Sequence, residues 1–130
     1  LPDGSIVGLV RNGDKGYRSV DQGSTWTQYF TFPEFGQQYF SPNGTDHYMR
    51  TYYDIFYSNN LTTWTKLTIS GLPPNNQRFM NDLAADGSGI IYLILYNYTT
   101  SKEEAYQILF GSASLLNQAT NPRSLGYYQS

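Results

Sequence analysis

The sequence contains no cysteine and one histidine, His47. Without cysteine the chain has no disulfide, no thiol nucleophile and no thiolate metal ligand. A single histidine argues against a His-rich metal site and against a Ser-His-Asp triad, and a lone histidine in a polar turn is usually solvated. We therefore expect no metal and no cofactor.

Charge and long apolar runs are also scarce. Eight basic and ten acidic residues give a formal net charge of −2, and no basic run could follow a phosphate backbone. No apolar segment approaches the roughly twenty residues that span a bilayer. We expect neither a nucleic-acid partner nor membrane insertion, and we expect 130 residues to form one domain. Because the chain opens at Leu1 without an initiator methionine, we interpret it as a processed product or a portion of a longer protein.

Aromatic and turn-forming residues are abundant, with 13 tyrosines, 7 phenylalanines and 12 glycines. This composition favours strands and turns. Three of the four Asx-Gly pairs in the chain, at residues 3–4, 43–44 and 86–87, recur about every forty residues. Each pair precedes a β-rich run and then a second strand, and only Lys102 to Ala105 suggests a helical turn.

A forty-residue unit of several short strands is typical of a propeller blade. We predict an all-β, β-propeller-like array of about three four-stranded antiparallel blades, with approximate bounds 1–35, 36–75 and 76–125. Residues 36–45 supply an innermost strand for the second blade, but the first blade has no such segment before its Asp-Gly pair. When residues 126–130 are joined to residues 1–5, the resulting ten-residue sequence resembles residues 36–45. Residues 126–130 are therefore a candidate closing or donated strand.

One motif resembles a known family. The segment from Ser19 to Trp26 reads Ser-Val-Asp-Gln-Gly-Ser-Thr-Trp and resembles the Asp-box, the bacterial neuraminidase repeat of sialidase-like β-propellers. We expect its aspartate to accept hydrogen bonds from hairpin N–H groups, its glycine to adopt a positive φ, and its indole to be buried as an apolar plug. The motif is thus predicted to stabilise the fold rather than to catalyse. Its specified residues are Ser19, Asp21, Gly23, Thr25 and Trp26.

The resemblance weakens along the chain. In the second repeat, Ser58, Asn60 and Trp64 occupy the corresponding places with one residue fewer, and the segment is also similar to a hairpin of five-bladed glycosidase propellers. In the third repeat, Ser112 to Gln118 keeps the serine but has neither the glycine nor the tryptophan.

The resemblance implies an alternative function as a glycoside hydrolase. A sialidase-like enzyme uses three arginines, a tyrosine activated by glutamate, and an aspartate. The chain offers Arg11, Arg50 and Arg78, many tyrosines, and Glu34, Glu103 and Glu104. However, no Arg-Ile-Pro signature precedes the motif, and three blades do not enclose a funnel. Asp54, Asp82 and Asp86 could supply a carboxylate pair, but no spacing singles them out. We assign no catalytic residue.

Carbohydrate binding without catalysis is the next candidate. Aromatic rings stack on sugar faces, and polar side chains hold hydroxyl groups, although tyrosine is also an ordinary strand residue. Most candidates lie in or beside the inferred innermost strands, where a propeller faces its axis. The candidate ligand-binding residues are Gln38, Tyr39, Arg50, Arg78 and Asp82.

Three sequons, at Asn43, Asn60 and Asn97, lie near predicted turns or strand ends, where a glycan would be exposed. They favour an extracellular, cell-surface or virion-surface location. Repeats that stack side by side also leave open strand edges at the ends of the array, and such edges recruit another chain.

Our leading hypothesis is a non-catalytic surface module that assembles with itself, as a two-copy ring or as a fibre in which residues 126–130 are donated. The alternative is a three-blade fragment of a sialidase-like glycoside hydrolase. A stable monomer in dilute solution would reject the first hypothesis, and deletion of residues 126–130 is expected to abolish assembly.

Overall fold

The computed structural model describes residues 1, 3–10, 13–32, 34, 38–109 and 111–119. Within these ranges the chain forms eleven β-strands in three antiparallel sheets, with one short 3₁₀ turn at Asn75–Gln77 and no α-helix. No helix in the described part of the chain could cross a membrane.

The three sheets follow one another along the chain. Sheet one contains β1 (Ile6–Leu9), β2 (Lys15–Ser19) and β3 (Thr27–Thr31). Sheet two contains β4 (Gln38–Phe40), β5 (His47–Arg50), β6 (Ile55–Ser58) and β7 (Thr65–Lys66). Sheet three contains β8 (Arg78–Ala85), β9 (Ile91–Asn97), β10 (Lys102–Leu109) and β11 (Ser112–Ala119).

In every sheet each strand pairs with its neighbours in sequence, which is the up-and-down order expected of a repeat of consecutive hairpins. The glycines of the three Asx-Gly pairs adopt positive φ angles, 84° at Gly4, 78° at Gly44 and 84° at Gly87. A side chain would be strained at these angles, so the pairs do mark chain reversals. The all-β prediction is confirmed, with three antiparallel sheets of three or four strands.

One local prediction in the third repeat is wrong. Lys102 to Ala105 is not helical but opens β10, because it pairs with β9 on one side and β11 on the other. The Ser112 to Gln118 segment is not a hairpin like its counterparts but part of β11. The chain reverses just before this segment, at Gly111, whose φ is 77°.

The core lies between the sheets, and sheet two is buried on both faces. Tyr48 and Ile55 pack with sheet-three residues such as Leu93. Met49 and Phe56 belong to a second cluster, which includes residues of sheet one. Successive side chains of a strand point to opposite faces, so this alternation places sheet two between the other two.

Sheet one is one strand short of its neighbours. Sheets two and three each begin with a strand before the Asx-Gly turn, β4 and β8, whereas β1 is paired only with β2 in the described residues. Residues 126–130, the predicted closing strand, lie outside the described part of the chain. The open side of β1 is therefore a free strand edge in the described structure.

Candidate functional site

Three of the five candidate ligand-binding residues come together where sheets two and three meet. We call Gln38, Arg50 and Asp82 the inner polar cluster. Gln38 of β4 and Arg50 of β5 are opposite each other in the antiparallel register, so their side chains share a face. Asp82 comes from β8, the first strand of sheet three, which contacts β4 and β5.

The hydrogen bonds of the inner polar cluster run between the two sheets. Arg50 donates through Nε to Gln38 Oε1 at 3.0 Å and through Nη1 to the carbonyl of Met80 at 2.8 Å. Gln38 Nε2 donates to Asp82 Oδ1 at 2.8 Å, and Gln38 Oε1 accepts from the N–H of Leu83 at 3.0 Å. The cluster therefore fixes the position of β8 against sheet two.

Arg50 is the most buried member of the cluster, with 8% of its surface exposed. Burial lowers the pKa of its guanidinium, and the negative charge of Asp82 opposes that shift. Loss of Asp82 or Gln38 would leave a buried charge with fewer partners, which is costly. A guanidinium, a carboxamide and a carboxylate can also bind hydroxyl groups, but here each makes a bond that joins the sheets.

The other two candidates lie apart from the inner polar cluster. Tyr39 packs against the core between sheets one and two, and its hydroxyl is 2.7 Å from Nδ1 of His47. Burial raises the pKa of Tyr39 and lowers that of His47. His47, expected to be solvated, is only 2% exposed because it lies on β5 rather than in the turn before it.

Arg78 connects two loops through hydrogen bonds to main-chain carbonyls. It donates to the carbonyl of Tyr53 through Nε and Nη2, and to the carbonyl of Pro73 through Nη1 at 2.8 Å. Asp54 lies 3.6 Å from its Nη2. Burial lowers the pKa of Arg78, and Asp54 opposes the shift.

The hairpin over residues 19–26, between β2 and β3, is held by its own side chains. Asp21 Oδ1 accepts from Ser19 Oγ and from the N–H of Thr25, each at 2.8 Å, and Asp21 Oδ2 accepts from Thr25 Oγ1. The Thr25 hydroxyl, the Thr25 N–H and the Ser19 hydroxyl lower the pKa of Asp21 to about 2. Gly23 has a φ of 91°, and its N–H donates to Ser19 Oγ at 2.8 Å.

The second hairpin repeats this pattern with different residues. Asn60 Oδ1 accepts from Ser58 Oγ at 3.1 Å and from the N–H groups of Thr62 and Thr63 at 3.0 and 2.9 Å. Leu61 takes the place of the glycine at a φ of 67°, and its N–H donates to Ser58 Oγ at 2.8 Å. An amide oxygen thus serves where the first hairpin uses a carboxylate.

The two tryptophans make the same hydrogen bond but differ in burial. Trp26 Nε1 donates to the carbonyl of Gly23 at 3.0 Å, and Trp64 Nε1 donates to that of Leu61 at 2.9 Å. Trp64 packs against the core between sheets one and two. Trp26 is 43% exposed, so the prediction of a buried indole is wrong for the first hairpin. No other sheet covers it in the described structure.

The sequons also differ in exposure. Asn43 and Asn60 are exposed in turns. Asn97 is only 8% exposed, and its Nδ2 donates to Glu104 Oε1 at 3.0 Å, so the expectation of an exposed site there is wrong. Its Oδ1 accepts from the N–H of Thr99 at 2.9 Å, which holds the turn between β9 and β10 and keeps the side chain inward.

Two of the glutamates that the sequence offered as activators of a tyrosine, Glu103 and Glu104, are buried in β10. Glu104 is 2% exposed. Burial opposes ionisation of Glu104, but four hydrogen bonds together lower its pKa; the donors are Asn97, Tyr106, Gln118 and Thr100.

Glu103, also 2% exposed, accepts from Asn81 Nδ2 through Oε1, while its Oε2 has no hydrogen-bond partner among the described residues. Burial raises the pKa of Glu103. Asn81, Asn97 and Gln118 reach these glutamates through strand pairing, so no local sequence signal could have identified those contacts.

Comparison with known proteins adds no relative to this picture. No protein-family model matches the chain, and no curated protein matches it significantly.

Proposed function

We propose that this chain is a non-catalytic structural or interaction module of an extracellular or virion surface, which associates with further copies of itself through the open edge of β1. The three sheets act in this proposal as consecutive blades of an Asp-box propeller-type array. Assembly yields a two-copy ring or a head-to-tail fibre. The observation that carries the proposal is that, in the described residues, sheet one has no strand in the place that β4 and β8 occupy at the start of the other two sheets.

The repeat indicates where the missing strand would pair. Ser19 pairs with the first residue of β1, as Ser58 pairs with the first residue of β5, so the two strands align residue by residue. In sheet two, β4 pairs with the last three residues of β5. The corresponding positions of β1 are residues 7–9. An unpaired row of backbone N–H and C=O groups there is a template for a strand from another chain.

A groove next to this edge offers room for the side chains of an added strand. It has a volume of about 340 Å³, and Ile6 of β1 and Tyr39 of β4 are among the residues that line it. Residues 126–130 are the candidate donated strand because their sequence resembles the segment before the second Asx-Gly pair.

The hydrogen bonds of Arg50 and Arg78 support a structural rather than a catalytic role. Arg50 and Arg78, two of the three arginines that a sialidase-like site would need, donate to main-chain carbonyls. A site that binds a substrate carboxylate needs guanidinium groups directed at the ligand. The competing proposal, a fragment of a sialidase-like glycoside hydrolase, predicts hydrolysis of a sialyl substrate, whereas a structural module shows none.

Glycan binding is a secondary proposal for the same cluster. The side chains of Gln38 and Asp82 are half-buried at the innermost strands, and their polar groups suit sugar hydroxyls. A glycan array tests it directly. Binding that is lost in Gln38→Ala would support it, and an array without any bound glycan would reject it.

Amide hydrogen exchange of the full chain tests the edge association. At a concentration where the chain is assembled, the outward-facing amides of residues 7–9 should exchange much more slowly than in dilute solution. Amides of β6, which is paired on both sides within the chain, provide the internal control. Deletion of residues 126–130 should restore fast exchange in β1. Equal exchange of β1 at all concentrations would contradict the proposal.

A further inference from the structure

Three exposed tyrosines lie where the turn between β5 and β6 meets the start of β8 and the end of β9. Tyr52, Tyr53 and Tyr98 are 40%, 46% and 55% exposed. Tyr52 stacks on Phe79 with the ring centroids 4.5 Å apart, and Tyr53 meets the same ring edge-on at 6.5 Å. Phe79 pairs across the sheet with Tyr96, whose ring lies 5.3 Å from that of Tyr98. We call these five residues the aromatic platform.

Two hydrogen bonds to main-chain carbonyls attach the turn at residues 51–54 to β8. The N–H of Met80 donates to the carbonyl of Tyr52 at 2.7 Å. Arg78 donates through Nε to the carbonyl of Tyr53 at 3.0 Å. Neither bond uses a tyrosine ring or hydroxyl group, so both rings stay available on a fixed backbone. A surface that is ordered in advance loses less conformational entropy when a ligand binds.

Uncharged polar side chains border the platform beside Tyr98. The N–H of Tyr98 donates to the carbonyl of Gln77 at 2.9 Å, and Gln77 Oε1 accepts from Thr99 Oγ1 at 2.7 Å. Gln77 and Thr99 are both exposed. Amide and hydroxyl groups both donate and accept hydrogen bonds, as the phenol groups of the platform also do. The rings are therefore bordered by groups that suit hydroxyl-rich ligands.

The charged side chains around the platform are offset by one another, buried or directed elsewhere. Asp54 lies 3.6 Å from Nη2 of Arg78 and 3.5 Å from Nζ of Lys66, so these charges offset one another. Glu103 lies on the platform's face of sheet three but is only 2% exposed. The side chain of Lys102, the preceding residue of β10, points to the opposite face. The platform thus presents aromatic and uncharged polar groups.

We propose that the aromatic platform binds a neutral oligosaccharide, with sugar rings stacked on Tyr52 and Tyr98 and sugar hydroxyl groups held by the bordering amide and hydroxyl side chains. A pyranose ring has an apolar C–H face and a polar edge, which suit a tyrosine ring and its polar tip. An acidic sugar would need a guanidinium or ammonium group directed at its carboxylate. The platform is separate from the inner polar cluster, and binding there requires no self-association.

Titration calorimetry of the full chain, at a concentration where sedimentation shows monomer, tests the site with cellohexaose, xylohexaose and mannohexaose. At least one of these oligosaccharides should bind saturably, and sialyllactose should bind more weakly than that oligosaccharide. No saturable binding of any of the three, or stronger binding of sialyllactose, would overturn the proposal. Binding of a decaproline peptide in their place would also overturn it, because extended proline-rich segments dock on aromatic surfaces too.

Ring deletion locates the bound saccharide. Tyr52→Ala should weaken binding of the selected oligosaccharide roughly tenfold, because one stacking contact is lost, whereas Tyr52→Phe keeps the ring and most of the affinity. Trp26→Ala is the matched control, because it removes a ring of similar exposure, 43%, from sheet one, and it should bind as the unmodified chain does. If Tyr52→Ala does not fold, Tyr98→Ala takes its place. Unchanged binding in the folded ring-deletion variant would overturn the platform.

Two further variants separate the platform from the other proposals. Deletion of residues 126–130 should leave saccharide binding unchanged even where it abolishes self-association. Saccharide binding by a chain that stays monomeric at every concentration would support the platform and refute the edge association. Loss of binding in Gln38→Ala with full binding in Tyr52→Ala would place the saccharide at the inner polar cluster and overturn the platform.

Discussion

Replacing Trp64 and Trp26 by alanine in turn tests the packing of the sheets most informatively. Both indoles follow the same hairpin motif and donate one hydrogen bond to a carbonyl, at 2.9 and 3.0 Å respectively. Both variants therefore lose this hydrogen bond. The variants differ in what surrounds the ring, because Trp64 contacts two phenylalanines while Trp26 is 43% exposed.

The difference in magnitude follows from these surroundings. Removing a buried tryptophan costs about 3–5 kcal/mol, which combines lost burial with a cavity. Each aromatic pair contributes about 0.5–1.5 kcal/mol beyond its area, so the contacts with Phe30 and Phe32 add about 1–3 kcal/mol for Trp64 alone. We expect Trp64→Ala to lower the free energy of unfolding by about 4 kcal/mol. We expect Trp26→Ala to lower it by about 2 kcal/mol.

Urea unfolding, followed by tyrosine fluorescence and circular dichroism, provides the measurement. It is made at a protein concentration where sedimentation shows monomer, so that association does not contribute. Equal destabilisation by the two variants, or a larger effect for Trp26→Ala, would refute the assignment of Trp64 to the core between sheets one and two.

Three further predictions concern single positions. Gly16→Ala should lower the free energy of unfolding by about 1–3 kcal/mol, because its Cβ would lie 2.2 Å from a ring carbon of Phe30. Gly8→Ala should be close to neutral, because its Cβ would lie 3.4 Å from the nearest ring carbon of Trp26. Thermal unfolding of the two variants compares these effects. Asp21 has a pKa lowered from 3.8 to about 2, so its contribution is present above about pH 4 and is lost as pH falls toward 2. Asp21→Asn should accordingly unfold with a weaker pH dependence in that window, and an unchanged acid transition would contradict this. Expressed in a glycosylating host, the protein should carry a glycan at Asn60 rather than at Asn97, and peptide mass spectrometry that finds Asn97 occupied would contradict the buried position.

The repeat and its turns could be predicted from the sequence because their signals are local. An Asx-Gly pair sets a positive φ within two residues, and alternating apolar residues mark a strand within five or six. The Asp21 hairpin was predictable for the same reason, since all its hydrogen bonds lie within the segment from Ser19 to Trp26. The second hairpin tolerates Asn60 because an amide oxygen accepts the same N–H groups as a carboxylate.

The features that the sequence did not predict depend on distant strands. Lys102 to Ala105 has a charge pattern that suits a helical turn, but pairing with β9 and β11 overrides it. Asn97 is buried because Glu104, on the next strand, accepts from it. Trp26 matches its motif fully and is still half-exposed, since its burial depends on whether another sheet covers it.

Sedimentation equilibrium of the full chain across a wide concentration range tests most directly whether the array is completed by another copy. The open edge of β1 predicts a concentration-dependent mass, rising from one chain to two chains for a ring or to longer species for a fibre. A single species of 14.8 kDa throughout that range would contradict it.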